Sequence, residues 1–120
     1  MSLGQWRASN AARVVFWAAA CFAFAMAVLP HPPEVPGHPN DKVEHVFAFA
    51  TLALLGVFAY PRALFARLLI GLSLFGALIE VVQAIPMLQR DSDIWDWVAD
   101  TAAVAVVLTL VWLRRRAASA

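Results

Sequence analysis

The sequence predicts an all-α integral membrane protein, a four-helix bundle with both termini in the cytoplasm, and three observations carry that prediction. Of the 120 residues, 62% are hydrophobic and 14% are charged, whereas charged residues make up about a quarter of a typical soluble domain. Four runs are apolar on nearly every face, and short breaks containing proline separate them. Basic residues gather at one set of chain ends and acidic residues at the other. A soluble bundle of this length would carry a polar stripe along the whole of each helix, and none of these runs does.

The runs cover residues 11–29, 43–60, 64–85 and 94–113 of a single domain spanning 1–120. As helices rising 1.5 Å per residue, each would extend roughly 27 to 33 Å, the thickness of a bilayer's hydrocarbon core. The first run follows Arg7 and Arg13 and contains Ala23, Phe24 and Ala25, so it shares features with a secretory signal peptide. Its length exceeds a signal peptide's apolar segment, and Ala19, Ala23 and Ala27 recur every fourth residue as a packing face would. It is expected to be a retained helix. Pro30, Pro32, Pro33, Pro36 and Pro39 end it, Pro61 ends the second run, and Pro86 ends the third. The single cysteine, Cys21, lies within the first run, so neither an internal disulfide nor a cysteine-rich zinc site is available. It is expected to pack as a small apolar side chain.

Orientation follows from where the charges fall. Arg7, Arg13, Arg62, Arg67, Arg114, Arg115 and Arg116 share one side, which makes it cytoplasmic by the positive-inside rule. Lys42 and Arg90 stand on the other side with all eight acids: Glu34, Asp41, Glu44, Glu80, Asp91, Asp93, Asp96 and Asp100. The net charge is +1 and no basic patch points to nucleic acid. Trp95 and Trp97 suit the outer membrane interface, and Trp6, Tyr60 and Trp112 the inner one.

Three short motifs occupy the outer helix ends. Asp41, Lys42 and His45 open the second helix at spacings that share a face; Glu80 and Gln83 do the same near the end of the third. Asp93, Asp96 and Asp100 form a stripe at the start of the fourth, with Arg90 in the preceding loop. Glu80 and Asp100 lie at matching depths, roughly 7 to 9 Å inside the boundary. An ionised carboxylate facing lipid there would cost several kcal/mol, so both are expected to point into the bundle, where membrane-embedded acids serve function by default. Gly71, Gly76, Ala99 and Ala103 would let helices three and four approach closely. Asp93 reads as the N-cap of helix four, Asp41 with Lys42 as an exposed helix-end pair or part of the site, and Glu34 and Asp91 as solvated loop charges.

The order of these motifs, Asp41-Lys-Val-Glu-His45, the Tyr60-Pro61 break, Glu80-Val-Val-Gln83, then Arg90 and Asp96-Trp-Val-Ala-Asp100, resembles the VanZ-like family of bacterial membrane proteins. The resemblance covers about residues 41–113. Asp100 stands where that family often has Asn, and Ala103 where it often has Gly. The family takes its name from an association with glycopeptide-antibiotic resistance and has no settled biochemical activity. The resemblance implies a bacterial inner-membrane location and supports this choice of residues, without implying a reaction.

Two functional readings follow. In the first, an envelope-facing pocket binds a phosphate-bearing membrane lipid or lipid-linked cell-wall intermediate, with or without modifying it. Lys42 and Arg90 would hold phosphate, His45 and Glu80 would be the catalytic acid–base pair, and Asp41, Gln83, Asp96 and Asp100 would complete the binding site. A divalent cation on Asp96 and Asp100 is an option, with magnesium, manganese or calcium better suited than structural zinc. No nucleophile motif, phosphate loop or cofactor fingerprint accompanies these residues. In the second reading the polar cluster is a non-catalytic network that fixes helix packing or docks a partner. A proton or ion path is disfavoured, since helices two to four carry no ionisable residue deep on the cytoplasmic side.

Overall fold

The computed structural model describes residues 2–29, 41–88 and 92–119, apart from the side chains of Gln5, Trp6 and Asp41. Among these residues the regular elements are all helical: α1 Leu3–Val28, α2 Asp41–Ala59, α3 Phe65–Gln83 and α4 Ile94–Ser119, with a short 3-10 turn at Pro86–Leu88. All four α-helices are long and apolar enough to cross a membrane.

Helix limits differ from the apolar runs for identifiable reasons. The first helix begins at Leu3 instead of 11, and the last continues through Arg114, Arg115 and Arg116. Polar residues without proline prolong a helix as readily as apolar ones, so hydropathy marks the solvent boundary and not the end of the hydrogen-bond ladder. The third helix stops at Gln83, short of 85, because Pro86 disfavours helical geometry at the residue before it. Ala84 closes the helix by donating its amide to the Glu80 carbonyl at 3.1 Å.

Successive helices run antiparallel. Near the start of α1, Arg13 Nε donates to the carbonyl of Ala59 at the end of α2 (2.9 Å), and Trp17 Nε1 donates to the Tyr60 hydroxyl (2.8 Å). The Arg13 guanidinium also lies 4.9 Å from the centre of the Tyr60 ring. This supplies a cation to a helix C-terminus, where the dipole favours one. Helix α2 packs mainly on α1 and α4, while α3 packs mainly on α4. Phe49, Leu52 and Ala53 of α2, Ile79 of α3 and Val104 of α4 form the buried centre. Ala19, Ala23 and Ala27 pack against that core, as their spacing predicts.

Two expectations are corrected. Cys21 is exposed on the outer face of α1 instead of packed, because the inner face is taken by Ala20 and Ala23. At Gly71 an added Cβ would meet no neighbour within 4 Å, so close helix approach does not depend on it. Gly76 is closely surrounded: a Cβ there would touch Asp100 Oδ2, Phe49 Cζ and Trp97 Cδ1 at 3.4 Å, the near limit of ordinary contact, which leaves no room for a larger side chain.

Polarity is inverted relative to a water-soluble bundle. Phe47 is 76% exposed and Asp100 is 0% exposed. Large apolar side chains cover the outside, and at one end of the molecule the interior is ionisable.

Candidate functional site

The polar end of the bundle is where α2 and α4 begin and α3 finishes. Three helices deliver one side chain each to its centre: His45 from the second turn of α2, Glu80 from the last turn of α3, and Asp100 from the second turn of α4. All three are buried, at 9%, 8% and 0% exposure. One ligand atom from each lies within 4.8 Å of the others. The inward orientation anticipated for Glu80 and Asp100 is therefore observed, with His45 joining them.

Each side chain is held by specific contacts. His45 Nδ1 lies 3.3 Å from Asp100 Oδ2. Glu80 Oε2 accepts the backbone amide of Asp93 at 3.0 Å and the Ser92 hydroxyl at 3.3 Å, while that hydroxyl also reaches the Glu80 carbonyl at 2.9 Å. Glu80 thus ties the end of α3 to the segment that starts α4. Asp93 Oδ1 accepts the Trp95 amide at 2.9 Å, which makes it the N-cap the sequence predicts. That amide, together with Lys42, holds the Asp93 carboxyl below the usual carboxylate range.

Lys42 reaches from the start of α2 across to α4. Its ammonium contacts Asp96 Oδ1 at 2.5 Å and Asp93 Oδ2 at 3.4 Å, joining the starts of α2 and α4. Asp96 is 7% exposed, and this contact engages it one turn away from Asp100. Among the described residues, the group of three whose ligand atoms lie close enough to share a metal is His45, Glu80 and Asp100, which has Asp100 in common with the pair the sequence suggested. Gln83, 2% exposed, is directed toward α1, where its Nε2 donates to the Ala27 carbonyl at 2.9 Å. Arg90, Asp91 and Glu34 fall outside the described residues, as does the side chain of Asp41.

Three buried side-chain oxygens have no hydrogen-bond partner among the described residues: Glu80 Oε1, Gln83 Oε1 and Asp100 Oδ1. Every one is an acceptor. The Gln83 assignment is constrained, because its other amide atom must be the nitrogen to donate to a carbonyl.

Beside the cluster, a cavity of about 380 Å³ opens between α1 and α2. Glu44 and His45 mark its polar end, and Phe22, Ala23, Ala48 and Leu52 line its apolar length. A second cavity of about 230 Å³, near Phe65, Leu108 and Trp112 between α3 and α4, has no ionisable residue in its wall.

Sequence reasoning missed Ser92, whose hydroxyl orients Glu80, and the Ser73–Thr101 hydroxyl pair that joins α3 to α4 at 3.0 Å. For Ser73 and Thr101 the available signal was an isolated hydroxyl inside a long apolar run; Ser92, in the loop before α4, carried none. The indole of Trp97, a residue expected at the interface, donates to the Ser73 carbonyl at 3.0 Å. No family model, curated protein or solved structure matches the chain.

Proposed function

We propose that this chain is a multi-pass bacterial inner-membrane protein, with both termini cytoplasmic, whose outer polar pocket binds a phosphate-bearing lipid or lipid-linked envelope intermediate. The observation that carries this reading is the junction of two environments at His45. An apolar cavity of about 380 Å³ meets a buried cluster of titratable groups there, which suits an amphiphile with its chain in the cavity and its headgroup on the cluster. Lys42 stands at the same end and can attract phosphate. The membrane reading draws on the exposed aromatic surface, and the orientation on the arginines gathered at the opposite end. The resemblance to the VanZ-like family, with its glycopeptide-resistance association, belongs to the same proposal.

Native mass spectrometry of the detergent-purified chain tests this. Phosphatidic acid should be retained, diacylglycerol of the same chains should be lost more readily, and inorganic phosphate alone should not displace the lipid. Equal retention of both lipids would contradict a phosphate-reading pocket.

A second reading treats the cluster as a structural network. Lys42–Asp96, Gln83–Ala27 and Ser92–Glu80 each tie separate parts of the bundle together, which favours it. Under that reading Glu80→Gln lowers bundle stability and leaves lipid retention unchanged.

A further inference from the structure

We propose that His45, Glu80 and Asp100 bind one hard divalent cation of the manganese or magnesium type. The three residues come from three different helices, yet their ligand atoms fall within 4.8 Å of one another. The His45 Nδ1 to Asp100 Oδ2 separation of 3.3 Å exceeds the roughly 2.7–2.9 Å of a charge-assisted hydrogen bond. It is close to the spacing of about 3 Å between adjacent ligands on an ion with bonds of about 2.1 Å.

Unpartnered atoms give independent support. Asp100 Oδ1 and Glu80 Oε1 are buried acceptors without donors among the described residues, on side chains 0% and 8% exposed. Buried polar groups are normally satisfied, so a set of orphans that are all acceptors indicates an electropositive occupant. A divalent charge neutralises the two carboxylates, which an apolar surrounding strongly favours. Imidazole with two carboxylates suits manganese, and three protein ligands leave open positions on a six-coordinate ion.

The cation's role rests on the lipid reading, since a phosphoryl oxygen would fill an open position; the binding of the ion itself does not. Lys42 already engages Asp96, so Asp96 lies outside the ligand set.

The full chain, purified without added lipid, is titrated with Mn²⁺ and followed by electron paramagnetic resonance. One ion per chain is expected, with nitrogen modulation from an imidazole. Glu80→Gln and Asp100→Asn should each weaken binding by roughly 100-fold, as expected when ligand charge is removed. His45→Gln should abolish the nitrogen modulation. Wild-type protein that yields only the free-ion spectrum would overturn the proposal, and would indicate that protons satisfy the buried carboxylates. Binding that survives in both carboxylate variants would overturn it as well. Should a variant fail to fold, the nitrogen modulation in wild-type protein still decides the matter. Lipid retention is scored separately, so loss of that retention with Mn²⁺ binding intact removes the lipid reading alone.

Discussion

His45 Nδ1 and Asp100 Oδ2 meet 3.3 Å apart between α2 and α4, on side chains 10% and 0% exposed, in the most ionisable part of an otherwise apolar interior. Among the described residues His45 is the hydrogen-bond partner of that carboxylate. Breaking a buried pair from one side leaves the other group uncompensated.

His45→Leu is therefore expected to destabilise the bundle by about 3 kcal/mol. The double change His45→Leu with Asp100→Leu should cost less than the two single changes added together, because no charge is left unpaired. Equilibrium unfolding in mixed detergent micelles measures both. Strict additivity would show that the two groups do not interact.

Gly76 and Gly71 should respond oppositely to enlargement. Gly76→Leu must displace Asp100, Phe49 or Trp97 and is expected to cost about 2–3 kcal/mol, as overpacking does. Gly71→Ala meets open space and should be neutral or stabilise by up to about 1 kcal/mol through helix propensity. The same unfolding assay applies, and equal penalties at the two positions would contradict this packing.

Acid should spare the cap of α4. Because the Trp95 amide and then Lys42 hold the Asp93 carboxyl below its ordinary value, its contribution is fully present above that value and is lost only as pH falls through the lowered one. Amide exchange at Trp95 should stay protected across mildly acidic pH. In Asp93→Asn, a comparable cap, that pH dependence should disappear. Early loss of protection in the wild type would contradict the assignment.

Much of this architecture was legible in sequence because hydrocarbon imposes simple demands. A run long enough to span it and nearly free of charge reads as a helix, and the cost of an exposed acid predicts that Glu80 and Asp100 turn inward. What remained hidden was partner choice. Spacing places His45, Lys42 and Asp96 on helix faces, but it cannot tell that Lys42 crosses to Asp96 while His45 meets Asp100. That depends on the relative height of α2 and α4. Likewise Gln83 shares a face with Glu80, yet its amide finds the Ala27 carbonyl because α1 ends beside it. Cys21 and Gly71 were misplaced for a related reason: uniformly apolar helices hide which face looks inward.

Topology has its own test. Seven arginines at one end require that a reporter fused after Ala120 be cytoplasmic and one inserted at Gly37 lie outside. Finding both on one side would remove the four-span arrangement.

The most direct measurement is photocrosslinking from the cavity in native membranes, with benzoylphenylalanine replacing Phe22, which lines it, or Leu110, which is 60% exposed elsewhere on the bundle. A phosphate-containing lipid adduct is expected from position 22, depleted by Glu80→Gln at equal levels of folded protein, while the adduct from position 110 stays unchanged. An adduct from position 22 that matches position 110 in composition and ignores Glu80→Gln would contradict a lipid-binding pocket at the polar end.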